Sequence, residues 1–550
     1  MQGVGTKFKE IHECGPSSPG LIGALGGENR INWGITRLLD AVQFHLHKTR
    51  LNNKAAYDLV KAMGSDAMTE MLTLNLLDSA RRRKQVLMGP QNTLQQALEA
   101  RDAKRSGPRL LGLQLYVYGF SRGAAEARAF ASWLEALTKV EIQGQSRYLF
   151  AGVPITIVFL GLFDTVATVG STYLVPLAEG HMSWADDTMR LSDSEAFLQN
   201  CVHLVAAHEQ RGCFPVDSIR RKANPADANC PSTYRAGTYE YLYPGVHSDV
   251  GGGYPPGEQG KALDGGGHVL SQIALHHMYA AAFKAGAPLQ VKPEALSQSL
   301  AETYPWLAMN DNTITNFDIS QTLITHFNIW QAQLLPNQPL ELAMNREAEL
   351  ITAWRIHNFV DNRIVQKEFL NKGMTKDKDM TLDEAAAFKH LHGLKLEAAE
   401  AARLTKTLPP EQPMAKAKRE AAEKKKLDYE TRIGATTPLT FNLNKEFEPM
   451  LDRRQILHGG EEFKRDYNAS WDLPLEGEGW SNGTIANVLA GGFIYLLNEQ
   501  DEAEEYARMR TKGTQRYNEM YERDGACRTL NDTSLTRFFD DHVHDSRAGS

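Results

Sequence analysis

The chain has few cysteines, no long apolar run and no excess of basic residues. Its 550 residues include five scattered cysteines and no C-x-x-C pair, which argues against a disulfide scaffold and against a zinc site of that type. No apolar stretch reaches the roughly 18 residues that a bilayer-spanning helix needs. The net charge of −7 argues against broad nucleic-acid binding, which requires a basic face. No secretory signal is visible at the N-terminus, and we therefore expect synthesis in the cytoplasm.

The apolar residues predict helices and strands in alternation. Helical spacing predicts helices at 32–48, 65–75, 92–103, 194–208 and 268–285. The strands are predicted at 111–118, 155–163 and 239–243, and the first two are apolar at successive positions, as is typical of parallel strands covered on both faces. A strand–helix–strand unit of this kind predicts an α/β protein with a mostly parallel sheet.

Residues 116–128 contain the pattern G-x-S-x-G, with Gly119, Ser121 and Gly123 in the fixed positions. A predicted strand precedes the pattern and a helix-forming stretch follows it. This context indicates a nucleophile elbow, in which a strained turn exposes the serine at the end of a strand. The alternative is an ordinary β-to-α turn with Ser121 as the helix N-cap.

A serine nucleophile needs a histidine base, and the histidine needs a carboxylate that fixes its tautomer. Asp164 directly follows the strand 155–163 and therefore lies at the same sheet edge as Ser121; its alternative role is that of a turn or N-cap aspartate. His247 lies between a Pro-Gly turn and three glycines, in a loop suited to an active site. Asp249 is expected to hold this loop by bonding to local backbone N–H groups.

An oxyanion hole is also required. One donor is predicted to be the backbone N–H of Arg122, the residue after the nucleophile. The second donor is expected from the glycine-containing stretch of Gly3, Val4 and Gly5, which could equally be a plain terminus.

The chain has 17 histidines, and other assignments of the base stay open. His203 and His208 are expected on one face of the helix 194–208 in a structural role. His542 and His544, close to the acids Asp540, Asp541 and Asp545, are the rivals of His247; a metal site there is a weaker alternative because no H-E-x-x-H spacing occurs.

Three blocks resemble the signatures of a bacterial α/β-hydrolase family that includes the type VI secretion lipase effectors. They are GFSRGAAEAR at 119–128, GLFDTV at 161–166 and PGVHSDVGGGY at 244–254. The resemblance extends to residues 2–6, 206–211 and 544–546. Members of the family usually begin with a further strand and turn before the block at 2–6, and they continue beyond the block at 544–546.

The resemblance implies an α/β-hydrolase-like, mostly parallel sheet with helical insertions and a charged helical arm. It implies an antibacterial phospholipase A that hydrolyses acyl esters of glycerophospholipids through Ser121, Asp164 and His247, without a cofactor or a metal. His544 and Asp545 are expected to support the site together with Asp249. The implied partners are the membrane phospholipid, a secretion spike protein and a cognate immunity protein, with no nucleic acid. The implied place of action is the periplasm of a target cell, at the inner membrane.

The resemblance, the motifs and the changes in composition together divide the chain into four predicted parts. These are a catalytic α/β-hydrolase core at 1–285, a helical insertion or lid-like region at 286–372, a charged helical arm at 373–433, and a C-terminal region at 434–550 that packs back on the core. The arm is either a solvated helical insertion or a docking surface for a partner or for anionic lipid.

Three further functions stay open on the sequence alone. One is an esterase or thioesterase that acts on soluble acyl substrates. Another is a binding module that kept the fold and lost the activity. The third is a metal hydrolase built around His542 and His544.

Overall fold

The computed structural model describes most of the chain. The described residues are 1, 3, 6, 8–11, 27–64, 79–105, 107–167, 189–211, 216–222, 230–335, 338–370, 449–468, 507 and 509–548, with single positions between 417 and 427. The predicted helix at 65–75 and nearly all of the predicted arm at 373–433 lie outside these residues.

Four parallel strands and an antiparallel hairpin form the main sheet. The strands of the described residues are β1 (Leu113–Phe120), β2 (Lys139–Ile142), β3 (Gln145–Phe150), β4 (Val153–Phe163), β5 (Leu198–Ala206), β6 (Arg221–Lys222), β7 (Ser232–Thr233) and β8 (Thr238–Tyr243). Strands β1, β4, β5 and β8 run parallel in that spatial order. The hairpin β2–β3 joins the start of β4 in antiparallel fashion, and β6 pairs with β7 in a separate small sheet.

Helices surround this sheet and continue beyond it. They are α1 (Gly27–His47), α2 (Asn53–Met63), α3 (Ser79–Ala103), α4 (Arg122–Thr138), α5 (His247–Gly251), α6 (Ser271–Lys284), α7 (Gln298–Thr303), α8 (Asp311–Asn316), α9 (Gln321–Gln331), α10 (Leu340–Arg355), α11 (Pro449–Asn468) and α12 (Leu530–His542). A π-helical turn, Ile356–Val360, extends α10, and residues 509–520 are also helical. None of the described helices is long and apolar enough to span a bilayer.

The central strands β4 and β5 are buried on both faces, which explains why they are apolar at successive positions. On one face, Ile155, Ile157 and Leu162 of β4 belong to a hydrophobic cluster that includes α1 and α4. On the other face, Phe159 of β4 belongs to a second cluster with α6 and the C-terminal helices α9 to α12. The C-terminal part of the chain therefore shares a core with the sheet that carries the candidate site.

The predicted strands at 111–118, 155–163 and 239–243 correspond to β1, β4 and β8, and the α/β class is confirmed. The helix predicted at 194–208 is wrong, because residues 198–206 form strand β5 in the middle of the parallel sheet. His203 consequently lies on a strand and His208 in the loop after it, rather than on one face of a helix.

Candidate active site

The turn between β1 and α4 holds Ser121 in a strained backbone conformation. Ser121 has φ 59° and ψ −129°, a region that residues with a side chain rarely occupy. Glycines on both sides are sterically required. A Cβ atom on Gly119 would lie 2.1 Å from the carbonyl oxygen of Gly123, and one on Gly123 would lie 2.6 Å from that of Met1. The local geometry is that of the predicted nucleophile elbow.

The three predicted side chains meet at the carboxyl edge of the parallel strands. Asp164 directly follows β4, and the Ser121 backbone N–H donates to the carbonyl of Phe163 at 2.9 Å. His247 begins α5. Its Nδ1 lies 2.7 Å from Asp164 Oδ2, and its Nε2 lies 2.8 Å from Ser121 Oγ.

These contacts fix the chemical roles of the imidazole atoms. An ionised carboxylate only accepts hydrogen bonds, so His247 Nδ1 carries the proton that it donates to Asp164. Nε2 of the neutral ring is then the acceptor for the Ser121 hydroxyl. Asp164 and His247 are buried, whereas Ser121 is partly exposed. A base that faces a reachable hydroxyl and is oriented by a buried carboxylate is the arrangement that nucleophilic acyl transfer requires.

A second set of hydrogen bonds holds Asp164. Its Oδ1 accepts the Ala206 backbone N–H at 2.8 Å, and the next backbone N–H, that of Thr165, donates to His203 Nε2 at 3.0 Å. His203 Nδ1 lies 2.7 Å from Glu240 Oε1. Burial raises the Glu240 pKa, but the interactions with His203 together with hydrogen bonds from Ser218 and the Ile219 N–H lower it to about 2. His203 thus has a structural role, and it exerts this role from strand β5. Nothing in the sequence pattern indicated its contact with Thr165.

The backbone of His247 is held separately. Its N–H donates to Glu209 Oε2 at 3.2 Å, and Arg211 forms an ion pair with the same carboxylate at 2.8 Å. Burial raises the Glu209 pKa. The hydrogen bonds from Arg211 and the positive charge of Arg211 oppose this effect, and the pKa is lowered overall. The Phe120 ring packs on the imidazole with centroids 4.6 Å apart.

The C-terminal residues 543–547, which we call the C-terminal segment, pack behind the His247 loop. Asp249 Oδ2 accepts from the backbone N–H groups of Val246, at 3.0 Å, and His544, at 3.1 Å. Asp249 Oδ1 lies 2.6 Å from His544 Nδ1, and the other His544 nitrogen lies 3.2 Å from the Glu258 carbonyl. Both ring nitrogens of His544 thus face an acceptor. Tyr254 stacks on this ring at 3.9 Å.

Asp545 anchors the same segment to α10. Its carboxylate accepts from Arg355 Nη2 at 2.6 Å and Nε at 3.2 Å, and its backbone N–H and C=O both pair with the Gln259 side chain. Burial raises the Asp545 pKa, but the charge and hydrogen bonds of Arg355, together with the contacts of Arg547, lower the pKa overall. The structure therefore brings Asp249, His544 and Asp545 together behind the loop of His247 and not onto Ser121.

The rival His542 and the predicted structural His208 lie away from Ser121. His542 faces His326, with 2.8 Å between His542 Nε2 and His326 Nδ1. His208 pairs with Glu347 at 2.9 Å and accepts the Gly245 N–H at 2.8 Å. Among the described histidines, His247 is the one with a contact to Ser121.

The surroundings of the predicted oxyanion hole are partly described. Arg122 is the first residue of α4, so its backbone N–H lies at the N-terminal end of the helix, next to Ser121. Gly3 lies against the first turn of α4, where a Cβ atom on Gly3 would be 3.1 Å from the Gly123 nitrogen. Val4 and Gly5 lie outside the described residues.

Comparisons with known proteins identify the family. Residues 138–281 match the model of the catalytic domain of Tle1-like phospholipase effectors of the type VI secretion system, and residues 323–549 match the model of their C-terminal domain. The chain belongs to the Tle1-like family of type VI secretion phospholipase effectors. The matched catalytic range contains Asp164 and His247 and begins after Ser121.

Two solved structures are similar to parts or all of the chain. A crystal structure described as an uncharacterized protein from Pseudomonas aeruginosa shares 41% identity and a TM-score of 0.73, and the match covers 99% of this chain and 70% of that one. A Tle1 effector bound to the VgrG spike of the type 6 secretion system shares 19% identity with a TM-score of 0.21, over 47% of this chain and 50% of that one, which is too weak to carry an argument. No curated protein matches the chain.

Proposed function

We propose that this phospholipase effector is a phospholipase A that works by a serine esterase mechanism, with Ser121 as nucleophile, His247 as general base and Asp164 as the orienting acid. The observation that carries the proposal is the unbroken series of contacts from Ser121 Oγ through His247 to Asp164, at 2.8 and 2.7 Å. The strained Ser121 backbone and the parallel strand order support the further assignment of the sheet to the α/β-hydrolase fold.

The first half-reaction acylates the enzyme. His247 Nε2 takes the hydroxyl proton as Ser121 Oγ attacks the ester carbonyl of a phospholipid, and the carbonyl oxygen becomes an oxyanion. The backbone N–H of Arg122 and a donor from the segment that contains Gly3 stabilise this charge. The protonated His247 then gives its proton to the leaving alkoxide, and the lysophospholipid departs.

The second half-reaction regenerates Ser121. His247 takes a proton from water, the resulting hydroxide attacks the acyl-Ser121 carbonyl, and the Ser121 oxygen leaves with the proton from His247. The products are a free fatty acid and the original hydroxyl. Asp164 stays ionised throughout and stabilises the imidazolium that forms in both steps.

Mass spectrometry of lipid products tests this proposal. Vesicles of a phospholipid with two different acyl chains are incubated with wild type, with Ser121→Ala and with Ser192→Ala, a matched control whose hydroxyl contacts Glu135 away from the site. Wild type and control should release one fatty acid and a lysophospholipid, and the chain that is released identifies the ester position. Product formation by Ser121→Ala at the wild-type rate contradicts the mechanism.

We further propose the setting of this activity. Family membership supports secretion with a spike protein of the type VI apparatus, action on phospholipids from the periplasmic side of a target cell, and a cognate immunity protein in the producer. A competition assay between a producer and a sensitive strain tests this setting. Killing should require both Ser121 and a functional secretion apparatus, and killing by the Ser121→Ala effector would contradict it.

A further inference from the structure

Two histidines and an aspartate meet where α9 passes the C-terminal end of α12. His326 lies on α9, and Asp541 and His542 are the last two residues of α12. One ligand atom from each of the three residues lies within 4.8 Å of the others. The proposed hydrolytic mechanism uses none of these side chains.

The donor atoms suit a transition-metal ion. Two imidazole nitrogens and one carboxylate oxygen form a common ligand set of Zn²⁺, which takes a fourth ligand to complete a tetrahedron. Donor atoms around one tetrahedral Zn²⁺ lie about 3.3 Å apart, given Zn–N distances near 2.0 Å. The two nitrogens are 2.8 Å apart here, so small rotations of the side chains would open the pair for an ion. Water can supply the fourth ligand.

The 2.8 Å contact between the two ring nitrogens is a hydrogen bond, so one of the two nitrogens carries a proton. An ion that binds both nitrogens takes the place of this proton, which moves to the other nitrogen of its ring or to solvent.

Two positive charges oppose an ion at this place. Arg537 Nε lies 3.3 Å from Asp541 Oδ2, and the charge of Lys261 is close enough to lower the His542 pKa. The Arg537 pair is exposed at the helix surface, and such pairs contribute little stability. Lys261 is directed to the backbone carbonyls of Phe539 and Asp540, with its Nζ 3.0 Å from the first. Neither cation occupies the space between the two imidazoles.

We propose that His326, Asp541 and His542 form a binding site for a divalent transition-metal ion of the Zn²⁺ type. The bound ion joins α9 to the end of α12. His542 precedes His544 by two residues, and His544 contacts Asp249 behind the His247 loop. The ion thus has a structural role, since it fixes the start of the C-terminal segment on the helical part of the core.

Metal binding to the full-length protein tests this site. The protein is freed of metal with a chelator, and ZnCl₂ is titrated by calorimetry and in thermal unfolding. One ion should bind per chain and raise the unfolding temperature by a few degrees, because a ligand that binds the folded state stabilises it. Co²⁺ in place of Zn²⁺ should give the visible absorption of a tetrahedral complex.

Matched variants assign the ligands. His326→Ala removes a partly exposed ring, and Asp541→Asn keeps the side-chain shape while it removes the charge. Both should weaken Zn²⁺ binding at least about tenfold, as losses at metal sites do. His458→Ala, which removes an exposed ring beside Glu462 on α11, should bind Zn²⁺ like wild type. Failure of wild type to bind Zn²⁺, or equal affinity in all four proteins, overturns the site.

Discussion

The two sides of the candidate active site are built in different ways. Ser121 and Asp164 directly follow parallel strands, so the strand order alone brings them to one edge of the sheet. His247 lies in a loop that the C-terminal segment holds from behind, through a contact between Asp249 and His544, which are 295 residues apart. The nucleophile and the acid therefore depend on local chain geometry, whereas the position of the base depends on the completed fold.

The largest expected effect on kcat comes from a change at Asp164, on the sheet-edge side of the site. Asp164→Asn should lower kcat by about 10⁴-fold, because the amide no longer fixes the His247 tautomer that accepts the Ser121 proton. Steady-state hydrolysis of a short-chain ester measures kcat. Thermal unfolding shows whether the variant is folded. Asp193→Asn, which removes an exposed ion-pair partner, is the control and should keep wild-type activity. A folded Asp164→Asn protein with wild-type kcat would remove Asp164 from the mechanism.

The next largest effect on kcat is expected from Asp249 and His544, which hold the loop of the base His247. Asp249→Asn or His544→Gln should lower kcat by up to about 10²-fold, since a loop displaced by about 1 Å misplaces His247. The pair is tested in a double-mutant cycle, in which the two changes should be strongly non-additive because they break the same contact. His458→Gln is the control. If kcat is unchanged while the unfolding temperature falls, the C-terminal segment stabilises the fold without positioning the base.

A smaller effect is expected at the support of Asp164. Glu240→Gln should lower the free energy of unfolding by about 1–3 kcal/mol, because it weakens a buried hydrogen-bond network with His203. The folded-state pKa of Glu240, about 2, lies below its ordinary value of 4.5. The stabilisation is therefore present above pH 4.5 and lost as the pH falls toward 2. Urea unfolding at several pH values should show the wild type and the variant converging in acid, and a constant difference would refute the assignment.

A further effect, on stability alone, is a pH dependence in the helical part of the chain. Burial, with the charges of Lys367 and Arg363, lowers the pKa of His357 from 6.5 to about 3. The unfolded chain thus binds a proton that the folded chain does not, and His357 reduces stability as the pH falls from about 6.5 toward 3. Replacement by Asn should flatten the decline of unfolding temperature over this range. A decline identical to that of wild type would show that other groups cause it.

Local patterns predicted much of the sheet and the elbow. The G-x-S-x-G pattern between a strand and a helix predicted the turn at Ser121, and the apolar stretch before Asp164 predicted β4. Strand β5 was wrongly predicted as a helix because Leu198, Cys201, Val202 and Val205 repeat at intervals of three and four residues. In a central strand that is buried on both faces, alternation disappears and periodicity cannot separate the two structures.

Other features had a weaker signal or none in the sequence. The hairpin β2–β3 was not predicted, although Gln143 and Gly144 at its turn, both with positive φ, form a sequence that suits a two-residue hairpin. Asp249, His544 and Asp545 were predicted as supporting residues, but their partners could not be, since Arg355 and Gln259 meet Asp545 only when the helical part packs on the core. The division of the chain into four parts stays a prediction.

Covalent labelling of Ser121 tests the central claim most directly. A fluorophosphonate probe reacts with a serine only when a base activates the hydroxyl, and intact mass with peptide mapping locates the adduct. We expect one adduct per chain, on Ser121, with no labelling of Ser121→Ala and very slow labelling of His247→Ala. An adduct on another residue, or labelling of His247→Ala at the wild-type rate, would contradict the assignment of Ser121 and His247.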